Sequence, residues 1–336
     1  MGRKATLRDV ATLAGVHYGT ASRALREDTA HLVSPETVER VRSAATKLRY
    51  TPDLIAQSLR TNRTSTVGVV VPDIANPIAA ALTRGVQDVL RGAGYVGLVV
   101  STDANQAHER SEIAALVSRQ VDGLIVASTK TPSLYSEIAA SGTPVVLANR
   151  RVETDLPTVT ASVGDGIEQA IDHLLSLGHR EIAYIGAAGD ANTGLDRHVA
   201  FERVMRARGL DSSDRAVRLS PGYGQHDGAE LFERLLEEGG RPTAVIAGND
   251  MMAVGVLSVL RRMDMSCPED VSIIGCNDLP FMEFLNPPLT TIHVPHAEIG
   301  SAAAEALLAI LRGEDPESTE LPVEFVTRAS TAPPSH

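Results

Sequence analysis

From Val67 onward the chain repeats one unit: a short apolar run, rich in β-branched residues, followed by a stretch long enough for a helix. The runs read VGVVV, YVGLVV, VDGLIVA, TPVVLAN, EIAYIG, TAVIAG and VSIIGC. Strands buried on both faces read as continuous apolar runs, and parallel neighbours need a crossover of helix length between them. Seven or more such strands in a chain of 336 residues predict an α/β fold of doubly wound parallel sheets. The length exceeds what one hydrophobic core usually serves, so two lobes are expected. Ligands of such sheets bind in the crevice beyond the carboxyl ends of the strands. Aromatic residues make up only 3% and Trp is absent, so the cores must be aliphatic.

The first 50 residues follow a different pattern. In TLRDVATLAGVHYGTASRAL, residues 6–25, Thr6 is placed to N-cap a helix whose Leu7, Val10, Ala11 and Ala14 share one face, and Gly15 stops it. After the turn GVH a second helix begins with Ala21, Ala24 and Leu25 facing inward, and Val16 can pack between the two. SPETVERVRSAATKL predicts a third helix, with Ser34 as cap, Pro35 in the first turn and Val38, Val41, Ala45 and Leu48 as its stripe. The spacing describes a helix-turn-helix. Its second helix exposes Tyr18, Gly19, Thr20, Ser22 and Arg23 near the end that meets base edges in the major groove. Arg23 suits guanine, whose O6 and N7 accept two bonds from one guanidinium. An αα-hairpin that serves only for packing is the structural alternative.

Charge separates the same two regions. The formal net charge is −11, yet residues 1–63 carry 11 Lys and Arg against 6 Asp and Glu, while the remainder carries 20 against 36. A basic head on an acidic body suggests that only the head touches phosphate. No run approaches the roughly 18 apolar residues of a membrane span, and no apolar segment follows the charged N-terminus as in a signal peptide. A cytoplasmic protein without a membrane partner is expected. The two cysteines, Cys267 and Cys276, form no zinc or disulfide pattern.

Several motif matches carry no chemistry. GAGYVG fits GxGxxG, but it ends a helix and precedes a strand, the reverse of a dinucleotide site. MGRKAT fits a myristoylation pattern, but its Thr6 is better used as a cap and the basic arm suits DNA. His293 and His296 lack a carboxylate or Cys to complete a metal site. No GxSxG elbow, Walker loop, HExxH or acid pair stands in a plausible context. Binding without catalysis, metal or cofactor is therefore expected.

The N-terminal stretch, continued by VSPETVERVRSAATKLRYTPDLIAQSLRTNRTSTVGVVVPDIANP, together with LGHREIAYIG, RPTAVIAGNDMMAVG, CPEDVSIIGCNDLP and PPLTTIHVP, closely resembles the LacI/GalR family of bacterial transcription regulators. The resemblance spans essentially the whole chain. It implies a headpiece over residues 1–50, a hinge linker and helix over 51–64, and an effector-binding and dimerisation core over 65–331, with a tail at 332–336. The core would resemble periplasmic sugar-binding proteins, with an N-lobe of about 65–161 and 293–322 and a C-lobe of about 162–292 and 323–331. Tyr18, Gly19 and Arg23 would face bases, with Thr6, Leu7, Thr20 and Ser22 along phosphates. Leu59 would wedge the minor groove once the hinge helices of two chains pair, kinking the DNA.

The resemblance further places Ile78, Ala79, Asn149, Arg197, Tyr223, Asn249 and Asn277 around an effector cleft, with Asp73 and Asp103 near its N-terminal wall. It implies a homodimer on near-palindromic operator DNA. The tail TRASTAPPSH lacks the leucine heptads of a tetramer bundle. Three departures stand out. Asn277 and Asn149 stand where the family often has Asp, and Ile78 and Ala79 where it often has aromatic residues. Amides donate as well as accept, whereas carboxylates only accept, so the cleft suits an acidic or phosphorylated ligand, or a sugar bound in an unusual way. The leading expectation is a sequence-specific repressor controlled by a small effector such as a sugar, sugar derivative or related metabolite. A solute-binding transport protein and a sugar-processing enzyme with a DNA-binding head are the alternatives.

Overall fold

The computed structural model describes residues 5–26, 29–50, 63–103, 105–127, 132–150, 154–187, 193–210 and 216–335. The expected hinge helix, with its Leu59 wedge, lies outside the described residues. The chain divides into two compact units, Met1–Thr64 and Ser65–His336.

In the first unit, α1 (Leu7–Ala14), α2 (Tyr18–Ala24) and α3 (Pro35–Lys47) enclose a small core of Val10, Ala11, Ala14, Ala21, Ala24, Val41 and Ala44. Thr6 closes a capping box on α1: its backbone N–H donates to the Asp9 carboxylate at 2.8 Å, and its hydroxyl oxygen accepts from Asp9 N at 3.4 Å. Gly15, at φ +63°, ends the helix in the left-handed region that costs a glycine least. Ser34 caps α3 ahead of Pro35. Arg40 Nε donates to the Ala14 carbonyl at 3.1 Å, tying α3 to the orphaned end of α1. A 3₁₀ turn over Ala30–Leu32, not anticipated from the pattern, joins α2 to α3.

The second unit holds two six-stranded sheets. The first contains β1 (Thr66–Val71), β2 (Val96–Ser101), β3 (Gly123–Val126), β4 (Val145–Ala148) and β5 (Thr158–Ala161), with the late strand β11 (Thr319–Leu321) at one edge. The second contains β6 (Ile182–Ala187), β7 (Val217–Ser220), β8 (Ala244–Ala247), β9 (Ser272–Asn277) and β10 (Thr290–His293), with β12 (Glu324–Val326) at its edge. Their orders, β11-β5-β4-β3-β1-β2 and β12-β10-β9-β8-β6-β7, are two versions of one doubly wound plan. Pairing is parallel except between β10 and β12. The central strands are buried throughout, as a parallel strand covered on both faces must be. The chain passes from the first sheet to the second after β5, returns after β10 and crosses once more between β11 and β12.

The helices, in order, are α4 (Pro77–Gly92), α5 (Gln106–Ser118), α6 (Pro132–Ala140), α7 (Val163–Ser176), α8 (Thr193–Ala207), α9 (Gln225–Glu237), α10 (Asp250–Arg262) and α11 (His296–Leu311). Each lobe has one helix pair whose backbones come into near contact. In the N-lobe α11 lies on α4, and a Cβ on Gly300 would stand 2.1 Å from the Leu82 carbonyl oxygen. In the C-lobe α9 lies on α10, where a Cβ on Gly255 would stand 2.0 Å from the Gln225 carbonyl oxygen. The first of these approaches fixes α11 on α4, and with it His296 at the start of α11.

Candidate functional site

The headpiece presents one polar face. His17 caps α2, its Nδ1 accepting from Gly19 N at 3.1 Å. Tyr18 and Arg23 project into solvent from this helix, with Gly19, Thr20 and Ser22 half-buried between them. Ala21 and Ala24, on the opposite side, are fully buried. The helix is thus held from behind while its first turns remain open. Thr6 is exposed, but its hydroxyl already serves the cap; Leu7 is half-buried and packs on the small core.

The second cluster forms where strands end. Asp73 follows β1, Asp103 follows β2, Asn149 follows β4, Tyr223 follows β7, Asn249 follows β8 and Asn277 closes β9. Arg197 stands on α8, the helix after β6. These residues lie beyond or at the carboxyl ends of strands, the side on which doubly wound sheets hold ligands, and hydrogen bonds join Arg197 to Asn277 and Asn249 to Tyr223.

The centre of the crevice is Arg197, only 4% exposed. Its Nη1 donates to the Gly248 carbonyl at 2.7 Å and its Nη2 to Asn277 Oδ1 at 3.2 Å. The same Asn277 oxygen lies 3.2 Å from Nε2 of His296, at the start of α11 in the other lobe. Asn277 therefore joins the two lobes through one oxygen, and its backbone is held at φ +114°, a region L-residues rarely adopt. Asp278 turns away: its carboxylate meets Arg328 at 2.8 Å and His293 at 3.2 Å. The two histidines thus serve different partners, and no His, Cys, Asp and Glu grouping suited to a metal is found among the described residues.

The other expected residues play differing parts. Asn249 caps α10, its Oδ1 accepting from Met252 N at 2.8 Å and its Nδ2 donating to the Tyr223 carbonyl at 2.9 Å. Both ends of its amide are used, which positions Tyr223, a residue 37% exposed. Ile78 reaches across to pack on the C-lobe core, while Ala79 is buried in the core beneath α4. Asp73 accepts from Ala75 N at 2.8 Å in an Asx turn. Asp103, largely exposed, accepts from the Ser101 hydroxyl at 3.0 Å. These two carboxylates stand at the ends of their strands and are already tied to their own loops.

Sequence reasoning missed three groups here. Arg150, next after Asn149, is held by a bond from Nη1 to the Asn149 carbonyl at 3.1 Å. Burial pulls its pKa down from the usual arginine range; nearby Tyr223 opposes that shift and Arg197 adds to it. Tyr184, on β6, is fully buried, stacks on His198 at 5.9 Å, and has its pKa raised by burial. His296 enters the sequence reading only as half of a possible metal pair. The signal for Arg150 was its place immediately beyond a strand; for Tyr184 it was a hydroxyl inside an otherwise apolar run.

Burial pushes the His296 pKa down to about 3, with Arg197 and His293 adding to the shift. Its folded value lies below the ordinary 6.5, so the unfolded chain binds the extra proton first as the solution is acidified. The resulting stability is present above pH 6.5 and is lost as pH falls toward 3. Asp250 acts oppositely: burial raises it from 3.8 to about 6, so its contribution is greatest below 3.8 and is lost as pH rises through 6. We expect His296→Gln to reduce the stability lost between pH 7 and 4.5 by about 2 kcal/mol. Urea unfolding at the two pH values measures this, and equal losses in parent and variant would show that His296 is not buried as the neutral base.

The comparisons with known proteins cover both clusters. Residues 6–53 match the model of bacterial regulatory proteins of the lacI family, and residues 171–331 match the periplasmic binding protein-like domain. The ribose operon repressor of Escherichia coli K12 is 31% identical over 309 residues, 90% of this chain and 92% of that protein. A lac repressor dimer, solved bound to operator and the anti-inducer ONPF, superposes with a TM-score of 0.89 at 25% identity, covering 98% of this chain and all of that one. A LacI family regulator from Enterococcus faecium, solved with bound ribose, is 31% identical with a TM-score of 0.71, covering 80% of this chain and 99% of that one.

Proposed function

The chain belongs to the LacI family of bacterial regulatory proteins, and from that membership we propose that it represses transcription from a near-palindromic operator under control of a small polar metabolite. The observation that carries the reading is the pairing of an open recognition-helix face with a crevice in which Arg197, Asn277 and His296 link two lobes. Tyr18, Gly19 and Arg23 are the base readers in this reading, and Thr6, Leu7, Thr20 and Ser22 follow the phosphates. Leu59 is the wedge in the minor groove.

The effector sits between the lobes, bounded by Ile78, Asn149, Arg197, Tyr223 and Asn277, with Ala79 and Asn249 shaping the wall from behind and Asp73 and Asp103 at its N-terminal side. Control requires that the effector bind two lobe arrangements unequally, since equal affinity shifts nothing. The protein works by binding, without turnover, as a cytoplasmic homodimer. Support comes from the repressor relatives and the operator-bound dimer that the fold matches. No described helix is long and apolar enough to cross a membrane.

The test is selection of duplexes from a randomised pool by the purified protein, followed by affinity measurement at several salt concentrations. A near-palindromic site, bound about 1,000-fold or more above random DNA, supports the reading; binding to every duplex alike contradicts it. On the selected site, Arg23→Ala is expected to cost about 1–3 kcal/mol and to relax preference at one base pair. Uniform weakening on all sequences would instead identify Arg23 as a phosphate contact.

A further inference from the structure

Two guanidinium groups from opposite lobes lie close enough to repel each other, Arg150 just beyond β4 and Arg197 on α8. Neither forms an ion pair among the described residues. Arg150 bonds to the Asn149 carbonyl, and Arg197 to the Gly248 carbonyl and the Asn277 amide oxygen, all neutral acceptors. The Nε of each is buried and without a hydrogen-bond partner. So are Nδ2 of Asn277, Nδ1 of His296 and Oδ1 of Asn149. Four of these five orphaned atoms are nitrogens, and three, the Arg150, Arg197 and Asn277 atoms, are N–H donors.

The carboxylates nearby are engaged elsewhere. Asp278 pairs with Arg328 and His293. Asp250 accepts from Leu279 N and the Thr291 hydroxyl, and buried Glu109 accepts from the Tyr135 hydroxyl. Buried guanidinium groups are normally paired with an anion, since an unpaired buried charge is costly. A planar fork of donors also matches a carboxylate or phosphate in two parallel bonds.

We propose that the effector is an anionic polyhydroxylated metabolite whose carboxylate or phosphate lies between Arg150 and Arg197, its hydroxyls meeting Asn149, Asn277 and Tyr223. This rests on the effector reading above and adds the ligand's charge. The two cations oppose each other across the cleft until the anion joins them, so the ligand draws Arg150 of one lobe towards Arg197 of the other. Burial depresses the Arg150 pKa, with Tyr223, Tyr135 and Glu109 opposing the shift and the like charge of Arg197 adding to it. Asn277→Asp would place a carboxylate where Arg197 now meets an amide oxygen, supplying internally the charge that the effector brings.

Calorimetry with matched sugars tests the proposal: D-ribose against D-ribose 5-phosphate, and D-glucose against D-glucose 6-phosphate and D-gluconate. The anionic member of a set is expected to bind at least about tenfold tighter than its neutral mate, with Arg150→Gln and Asn277→Asp each removing that preference. Which glucose derivative binds distinguishes phosphate from carboxylate. A neutral sugar that binds as tightly as its anionic mate, or a preference unchanged in Arg150→Gln, overturns the proposal; a neutral sugar lost in Arg197→Ala would leave the effector reading standing. If no sugar binds, the melting temperatures of ligand-free Arg150→Met and Arg197→Met decide. A rise in either supports an uncompensated cation awaiting an anion, and a fall in both makes the guanidinium groups structural and overturns it.

Discussion

Replacing Arg197 with Ala is expected to lower effector affinity roughly 100-fold, about 3 kcal/mol, and to abolish the effector's influence on operator binding. The size follows from the geometry. One guanidinium holds the Gly248 carbonyl at 2.7 Å and Asn277 at 3.2 Å, and its Nε is buried without a partner. Hydrogen bonds to charged groups contribute about 1.5–3 kcal/mol each, so losing the group that orients Asn277 and meets the ligand removes at least two such terms. Folding should change far less, because the lost partners are replaced by water entering the crevice and a buried cation is removed with them. Calorimetry on the best ligand of the sugar panel, with unfolding monitored separately, checks both halves. Unchanged affinity in a folded variant would place the effector elsewhere.

The second large effect concerns packing. Gly300→Val should prevent stable folding of the core or cost roughly 3 kcal/mol or more, because the new Cβ would meet the Leu82 carbonyl oxygen at 2.1 Å and that oxygen belongs to the facing helix backbone. A side chain can rotate away, whereas a helix backbone moves only as a unit. Relief would require α11 to withdraw from α4, opening the buried layer of Leu82, Val86, Ile299 and Ala303. Gly92, in the last turn of α4, has open space where a Cβ would stand and no positive φ. Gly92→Ala should therefore be neutral or stabilise by up to about 1 kcal/mol. Urea unfolding separates the two variants: a large loss of stability for Gly300→Val and none for Gly92→Ala.

How far the sequence could be read depends on the range of the interactions involved. Thr6, Gly15 and Ser34 act on residues within four positions, so the headpiece helices and their caps were legible from spacing alone. The strands were legible because parallel pairing buries both faces and writes a continuous apolar run. The glycine contact between α4 and α11 was not, since Gly85 and Gly300 lie far apart in the chain and nothing local marks either as a contact. The same holds at the crevice. Arg197 and Asn277 were found through family resemblance, but that Asn277 shares its oxygen with His296 depends on the chain returning to the first lobe after β10. Asp278 stands next to Asn277 in the chain; its capture by Arg328, fifty residues on, is visible only once β12 has brought the C-terminal segment alongside β10.

Arg150 shows the remaining gap. Its position after a strand was sufficient to nominate it, yet resemblance directed attention to its neighbour Asn149. Chemistry in such a crevice is distributed by strand ends, and every residue just beyond one is a candidate.

The central claim is that the crevice and the headpiece are thermodynamically coupled, and reciprocity tests it most directly. Operator affinity is measured with and without saturating effector, and effector affinity with and without saturating operator, on the same preparation at one salt concentration. Coupled binding requires the two ratios to be equal, with a value of about 5 to 150 for a typical coupling of 1–3 kcal/mol. Equal ratios in the parent and ratios of one in Arg197→Ala are the predicted result. An effector that binds tightly while leaving operator affinity unchanged would contradict the account.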